Sequence, residues 1–471
     1  MLGTKISKRT FLKTVAAAAL MPAVPRGQRF LSAGSSSRPP NVIFILADDL
    51  GYGDLGIYGS SIRTPNIDAM ARGGARFLNF YSASPVCSPS RAALMTGRYP
   101  TRVGVPGVLS PGDQGGLSLS ETTIADMLKT QGYKTLCVGK WHLGNQPQQY
   151  LPTSRGFDEY FGMPFSNDQA PLVLMNNTDV IENPVSVDNL TQRYTEKAVS
   201  FIKDSGNSPF FLYLAYAMPH IALAASVAFK GRSALGPYGD AVEEIDWSVG
   251  QIMEALRENG LDQDTVVMFS SDNGPAFQGS AGPLRGRKAD TYEGGVRMPL
   301  VVYAPGRIHR NVISRGVASM MDILPTVAQL SGATLPNQPL DGIDIWPLMT
   351  GEQDGIDREA LLYFNGWNIQ CARLGSWKLH VARNNSPGLG PAPQGGVMNL
   401  PLPQPELYDL DSDPGESFDV AKGNPQIVSA IMTRIETLIP TFPDQVVNAW
   451  RNTSCIKVVD TEADALPVVQ P

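Results

Sequence analysis

From Asn41 onward, short runs of almost wholly apolar residues alternate with stretches in which apolar residues recur every three or four positions. The runs Asn41 to Ala47, Lys134 to Val138, Pro209 to Ala217, Thr265 to Phe269 and Leu300 to Tyr303 have the length and composition of buried strands. Three helices are predicted between them. The first carries Ile124, Met127 and Leu128 on one face, with Ser120 as its cap and Gly132 at its end. The second shows Leu190, Tyr194, Ala198 and Ile202 before Gly206, and the third Ala241, Ile245, Val249, Ile252 and Leu256 before Gly260. These stripes are core faces that pack on a sheet. The alternation predicts an α/β fold with a large, mostly parallel central sheet flanked by helices.

After about Asp357 the pattern changes. Leu361 to Phe364 and Ser376 to Val381 read as strands, Pro387 to Pro405 as a Pro/Gly-rich connection, and Gln426 to Leu438 as an amphipathic helix. A main domain over 39–357 is therefore expected to be followed by a smaller C-terminal α+β domain over 358–455, built on a short antiparallel sheet. Residues 456–471 read as a tail. At the other end, Lys5, Lys8, Arg9 and Lys13 precede an apolar run from Val15 to Val24 and then a polar stretch. That is the layout of an export signal, so residues 1–38 are set apart as signal and linker, and the mature protein is expected to be periplasmic or secreted. Ser7 to Lys13 resembles a twin-arginine signal with Lys in place of the first Arg. The apolar run is about half the roughly 20 residues that span a bilayer, so no stable membrane anchor is expected.

With 38 Lys+Arg against 44 Asp+Glu the chain carries a formal charge of −6, which argues against nucleic acid as a partner. The 46 Gly and 38 Pro predict the long connections from which an α/β enzyme builds its site. The four cysteines, Cys87, Cys137, Cys371 and Cys455, are too few for a disulfide framework. Cys371 and Cys455 stay open between a pair in an oxidising compartment and two partly buried thiols.

In open α/β sheets ligands bind beyond the carboxyl ends of the strands. Here Asn41–Ala47 runs into Asp48 and Asp49, Lys134–Val138 into Lys140 and His142, Pro209–Ala217 into His220, and Thr265–Phe269 into Asp272 and Asn273. Any one of these is an ordinary polar turn. Four on one edge, with two of the four histidines of the chain, point to a site. Asp48, Asp49, Asp272 and Asn273 offer oxygen ligands only, which suits Ca²⁺ first, Mg²⁺ second, and not zinc. Separately, Ser88 reads as a helix N-cap and Pro89 as the first helical residue, which puts Cys87 just outside a helix N-terminus. That position suits either an activated thiol or a small buried residue.

Cys87-Ser88-Pro89-Ser90-Arg91, with Leu94-Met95-Thr96-Gly97-Arg98, resembles the first sulfatase signature. Gly132-Tyr133-Lys134-Thr135, followed by Gly139-Lys140-Trp141-His142-Leu143-Gly144, resembles the second. The resemblance takes in Asp48-Asp49 through Gly53-Asp54, Ser166-Asn167-Asp168, Met218-Pro219-His220, Asp272-Asn273-Gly274, Lys288, Tyr292 to Arg297, and Leu407-Tyr408-Asp409-Leu410 with Asp413-Pro414. It spans about Pro39 to Val420. The sequence is identified as resembling the formylglycine-dependent sulfatases, a branch of the alkaline phosphatase superfamily, which implies an alkaline-phosphatase-like mixed sheet.

The resemblance implies that Cys87 is oxidised to formylglycine by a formylglycine-generating or equivalent enzyme, and that the hydrated aldehyde is the nucleophile. It implies a metal site of Asp48, Asp49, residue 87, Asp272 and Asn273, with Arg91 fixing the hydrate. Lys140, Ser166, His220 and Lys288 would bind the sulfate group, His220 with Lys288 would protonate the leaving oxygen, and His142 would act as base. The implied substrate is a sulfate monoester, an aryl sulfate or a sulfated carbohydrate. Rival readings are a phosphate or phosphonate ester hydrolase of the same superfamily and a non-catalytic homologue that binds sulfated glycans. The single-cation ligand set and the second signature favour the sulfatase. One departure is that Ala289 and Asp290 follow Lys288, where the family more often has Gly and then Ser or Thr. Asp290 is expected to point away, to pair with Arg285 or Arg287, or to meet substrate. Asn167, Asp168, Asn365 and Trp367 are candidates for lining a sugar pocket.

Overall fold

The computed structural model describes residues 38–385 and 398–453. The expected export signal, the tail and Cys455 lie outside the described residues, except for position 38.

The central element is an 11-stranded mixed sheet. Its order is Val312–Ser314, Ala75–Tyr81, Arg297–Tyr303, Thr265–Ser271, Asn41–Ala47, Phe210–Ala215, Lys134–Gly139, Glu159–Gly162, Leu174–Asn176, Asp179–Glu182, with Ala318–Ser319 also on Ala75–Tyr81. The middle is parallel: Asn41–Ala47 pairs with Thr265–Ser271 and Phe210–Ala215, and Lys134–Gly139 pairs with Phe210–Ala215 and Glu159–Gly162. Arg297–Tyr303 runs antiparallel to both its neighbours. The five predicted strands are present, and the remaining strands of this sheet were not foreseen.

Alternation along the central strand divides the core in two. Val42, Phe44 and Leu46 join one apolar cluster and Ile43, Ile45 and Ala47 the other. Helices Leu190–Asp204 and Gly236–Glu258 cover the second face through the stripes expected for them. Ile124–Lys129 covers the first, but Ser120 is not its cap. Thr123 caps it: its Oγ1 accepts from the Asp126 amide at 3.0 Å, while the Asp126 carboxylate accepts from the Thr123 amide at 3.0 Å.

A four-stranded antiparallel sheet follows, in the order Leu361–Asn365, Asn368–Leu374, Trp377–Arg383, Leu400–Asp409. Its last strand begins inside the stretch expected to be a mere connection. Pro401, Pro403 and Pro405 are tolerated there because this strand lies at the sheet edge. Helix Pro425–Leu438 seats Ile431 and Ile435 against this sheet in a cluster that also holds Tyr81, Ala93, Val296 and Met321. The smaller sheet thus shares its core with the larger. Among the described residues no helix is long and apolar enough to cross a membrane.

Candidate active site

Strand register aligns the predicted polar ends. Ala47 stands beside Ser271, and Ala215 beside both Leu46 and Gly139. Asp48, Asp272 and Lys140 therefore leave the sheet at one level. Helix Cys87–Thr96 joins them from the side. Its N-cap is Val86, with extended backbone and no capping side chain, so Cys87 is the first helical residue and not the residue outside it. Ser88 does not cap the helix; its Oγ accepts from the Leu109 amide at 3.1 Å.

The charged groups interlock. Lys140 Nζ lies 2.6 Å from Asp48 Oδ2 and donates to Ser166 Oγ at 3.2 Å. Lys288 Nζ lies 2.8 Å from Asp49 Oδ2. Arg91 donates through Nε and Nη2 to Asp272 Oδ2 at 3.0 and 2.8 Å, and through Nη1 to the Lys140 carbonyl at 2.7 Å. Asn273 Nδ2 donates to Asp49 Oδ1 at 2.7 Å. His220 Nε2 lies 3.6 Å from Asp49 Oδ2, and its Nδ1 lies 3.4 Å from Ser166 Oγ. Asp49 has φ 64° and His142 φ 58°, left-handed conformations that the surrounding bonds hold in place.

Cys87 belongs to two groups whose ligand atoms all lie within 4.8 Å of one another, one with Asp48 and Asp272, the other with Asp49 and His220. Asp48 Oδ1 and Asn273 Oδ1 are buried without a hydrogen-bond donor. Orphaned oxygens beside three carboxylates fit a hard divalent cation, which Asp48, Asp49, Asp272 and Asn273 would hold.

Electrostatics separate the roles. Burial pushes the Cys87 thiol up to about 12, more than Lys140 and Lys288 lower it, so residue 87 as cysteine is not the activated thiol its place beside a helix N-terminus allowed. Burial also works against the Asp48 carboxylate, but Lys140, His220, Arg91 and Lys288 hold it well below its usual range. Burial and the charge of Asp48 push Asp272 upward. Burial lowers His142, helped by Lys140 and Arg91. His142 Nε2 lies 2.8 Å from the Leu109 carbonyl, which requires a proton on Nε2, and its buried Nδ1 has no partner. Burial lowers His220 too, but the Asp48 and Asp49 carboxylates work against it and favour a proton on this ring, as they do not on His142 to the same extent.

The family model described as Sulfatase matches residues 40–333. The chain belongs to the sulfatase family. A second model, the C-terminal region of aryl-sulfatase, matches residues 356–463. This sulfatase is 39% identical over 448 residues to arylsulfatase A of Homo sapiens, covering 85% of this chain and 88% of that protein. It is 35% identical to N-acetylgalactosamine-6-sulfatase of Canis lupus familiaris, covering 91% and 93%. Among solved structures it resembles PsFucS1 sulfatase from Pseudoalteromonas sp. (TM-score 0.77, 28% identity, 86% of this chain and 91% of that one). It also resembles Ps i-CgsB in complex with k-i-k-neocarrahexaose (TM-score 0.75, 29% identity, 92% and 98%). Like its named relatives it is a sulfuric ester hydrolase.

The predicted sugar-pocket candidates of this sulfatase divide. Asn167 is buried and ties down the His220 turn, donating to the His220 and Ala222 carbonyls at 3.3 and 3.0 Å. Asp168 is exposed. Asn365 donates to the Met398 carbonyl at 3.3 Å and Trp367 packs on the C-terminal core, so both are used within the smaller sheet. Asp290 turns back on its own loop: its carboxylate accepts from the Arg287 amide at 3.1 Å, with Asn384 Nδ2 at 3.4 Å. Three supports were not foreseen. The Leu109 carbonyl orients His142, and Gln169 Nε2 donates to that same carbonyl at 3.1 Å. Asp54 accepts from Tyr238 Oη at 2.6 Å and from the Gly51 and Ser280 amides, which fixes the turn after Asp49. Of these only Asp54 lay in a quoted motif.

Proposed function

We propose that this sulfatase removes sulfate from sulfated carbohydrates, with residue 87 as formylglycine and a divalent cation, calcium before magnesium, held by Asp48, Asp49, Asp272 and Asn273. The observation that carries this reading is the double grouping of Cys87, with Asp48 and Asp272 on one side and Asp49 and His220 on the other. The Cys-x-Pro-x-Arg string around Cys87 and the carbohydrate named with Ps i-CgsB support it.

The cation, when bound, supplies positive charge against the nucleophilic and sulfuryl oxygens. Formylglycine supplies an aldehyde hydrate, an oxygen nucleophile with a second hydroxyl on the same carbon. Arg91 steadies Asp272 and offsets charge beneath residue 87. Lys140 and Lys288, already fixed by Asp48 and Asp49, present cations to the sulfuryl oxygens, so little reorganisation is needed as charge moves. Ser166 Oγ and His220 complete the anion site. His220, backed by Lys288, protonates the departing alcohol oxygen. His142, neutral and with its Nδ1 lone pair free, takes the proton from the second hydroxyl of residue 87.

The test is the protein produced with a formylglycine-generating enzyme, the mass of its peptide containing position 87, and its rates on an aryl sulfate, the matching aryl phosphate and defined sulfated oligosaccharides. The aldehyde mass and at least about tenfold preference for sulfate are expected. Full activity with an unmodified thiol would overturn the mechanism, and turnover of aryl sulfate without any sulfated oligosaccharide would overturn the substrate class. The N-terminal pattern of the chain supports export to the periplasm or beyond, which cell fractionation of the full-length protein tests.

A further inference from the structure

The segment around Lys288 lies in the long connection between strands Thr265–Ser271 and Arg297–Tyr303, and the Gly294 amide donates to the Arg285 carbonyl at 2.7 Å, closing residues 285–294 into a loop. In its middle the Lys288 amide donates to the Pro275 carbonyl at 2.9 Å, and the Ala289 amide donates to the Pro85 carbonyl at 2.9 Å, two residues before Cys87. Both ends of the loop are held by one residue of the C-terminal region. Glu416 Oε2 accepts from the Glu293 amide at 2.6 Å, and the Glu416 carbonyl accepts from Arg285 Nη1 at 2.9 Å.

Glu416 is itself fixed. It is fully buried at φ 49°. Its Oε1 lies 2.6 Å from His380 Nε2 and 3.3 Å from Lys378 Nζ, both on strand Trp377–Arg383. Lys378 also reaches Glu293 Oε1 at 3.0 Å. The turn that presents Glu416 is set by Asp413, whose carbonyl accepts from the Glu416 amide at 3.1 Å and whose Oδ2 accepts from the Ser417 and Phe418 amides at 2.8 Å each. Asp413, which the reaction itself does not use, thus shapes the turn that presents Glu416 as a clasp.

We infer that Glu416 is a positioning residue for sulfate-ester cleavage, a clasp from the C-terminal region that holds both ends of the loop whose middle carries Lys288. Its four partners leave the loop two fixed ends and little room to swing, and a misplacement of about 1 Å at a reacting group costs on the order of 100-fold in rate. The inference rests on the reading that Lys288 contacts the sulfuryl group.

The test is a pair of double-mutant cycles read as kcat/KM on an aryl sulfate, each rate normalised to the formylglycine content of that preparation. Glu416→Ala is expected to lose about tenfold and Arg285→Met, at an exposed side chain, about threefold. In a Lys288→Ala background each is expected to cost less than about twofold, because both act through Lys288. Glu416→Gln, which keeps an acceptor for the Glu293 amide, is expected to recover part of the loss. Losses that multiply unchanged in the Lys288→Ala background, or a wild-type rate for both Glu416→Ala and Arg285→Met, would overturn the inference. Should Glu416→Ala not accumulate as folded protein, Arg285→Met decides alone. Wild-type activity of Lys288→Ala would instead overturn the reading of Lys288 and the clasp with it.

Discussion

Lys140 Nζ stands 2.6 Å from Asp48 Oδ2 with both side chains fully buried, yet Asp48 Oδ1 has no hydrogen-bond donor, Arg91 Nη2 standing off at 3.6 Å. A buried ion pair stabilises little unless its remaining lone pairs are satisfied. Asn273 Oδ1 is likewise buried without a hydrogen-bond donor. A bound divalent cation would satisfy both oxygens. Calcium is therefore expected to raise the unfolding temperature, magnesium to raise it less, and a chelator to reverse the gain. At a free concentration 100 times Kd the gain is about 2.7 kcal/mol. Asp48→Asn is expected to shrink it. Thermal unfolding that ignores every divalent cation would refute the site.

Cys87→Ser separates a hydrate from a simple alcohol. A serine at this position has one hydroxyl, so it can accept a sulfuryl group but has no second hydroxyl for His142 to deprotonate. The variant is expected to release one equivalent of product and then stall, with one sulfuryl group added to the peptide containing position 87. Sustained turnover near the wild-type rate would contradict the assignment of His142.

The parts of this molecule that were legible in the sequence are those written locally. Asn41–Ala47 and Thr265–Ser271 are buried along their whole length, so each reads as a largely apolar run that stops at a polar pair led by an aspartate. Ala75–Tyr81, one strand further out in the same sheet, is only partly buried at Arg76, Leu78 and Asn79, and its pattern does not announce a strand. Leu400–Asp409 is masked by its prolines. Ser120 stood in for Thr123 because both precede the apolar stripe and only the reciprocal bond to Asp126 tells them apart. The clasp of Glu416 on Glu293 joins residues 123 positions apart, and no local pattern encodes it.

Acid sensitivity follows from His142. Burial, with Lys140 and Arg91 nearby, holds it well below the ordinary imidazole range. In the unfolded chain it titrates near 6.5. From there down to its native value the unfolded state binds a proton that the native state does not. Its contribution to stability is therefore complete above about pH 6.5 and is lost as pH falls below it, at up to about 1.4 kcal/mol per pH unit. His380, lowered mainly by burial, adds a slope of the same sign. Urea unfolding between pH 7 and 5 should show a shallower decline for His142→Gln than for the wild type. Identical slopes would mean that His142 titrates normally in the folded protein.

Gly139 connects backbone geometry to the site. It ends strand Lys134–Gly139 at φ 99°, immediately before Lys140, and a Cβ there would lie 1.8 Å from the Ala215 carbonyl oxygen of the neighbouring strand. That carbonyl accepts from the Lys140 amide at 2.8 Å, so the strand cannot move away without carrying Lys140 with it. Gly132, at the other end of the same signature, also has a left-handed φ of 74°, but a Cβ there meets nothing within 4 Å. Gly132→Ala is therefore expected to cost only the backbone strain, about 1 kcal/mol, and to keep its activity. Gly139→Ala adds a backbone clash and is expected to cost more than about 2 kcal/mol and most of the kcat. Denaturant midpoints and rates of the two variants, measured side by side, check this contrast, and equal penalties would show that Gly139 serves only the turn and not the placement of Lys140.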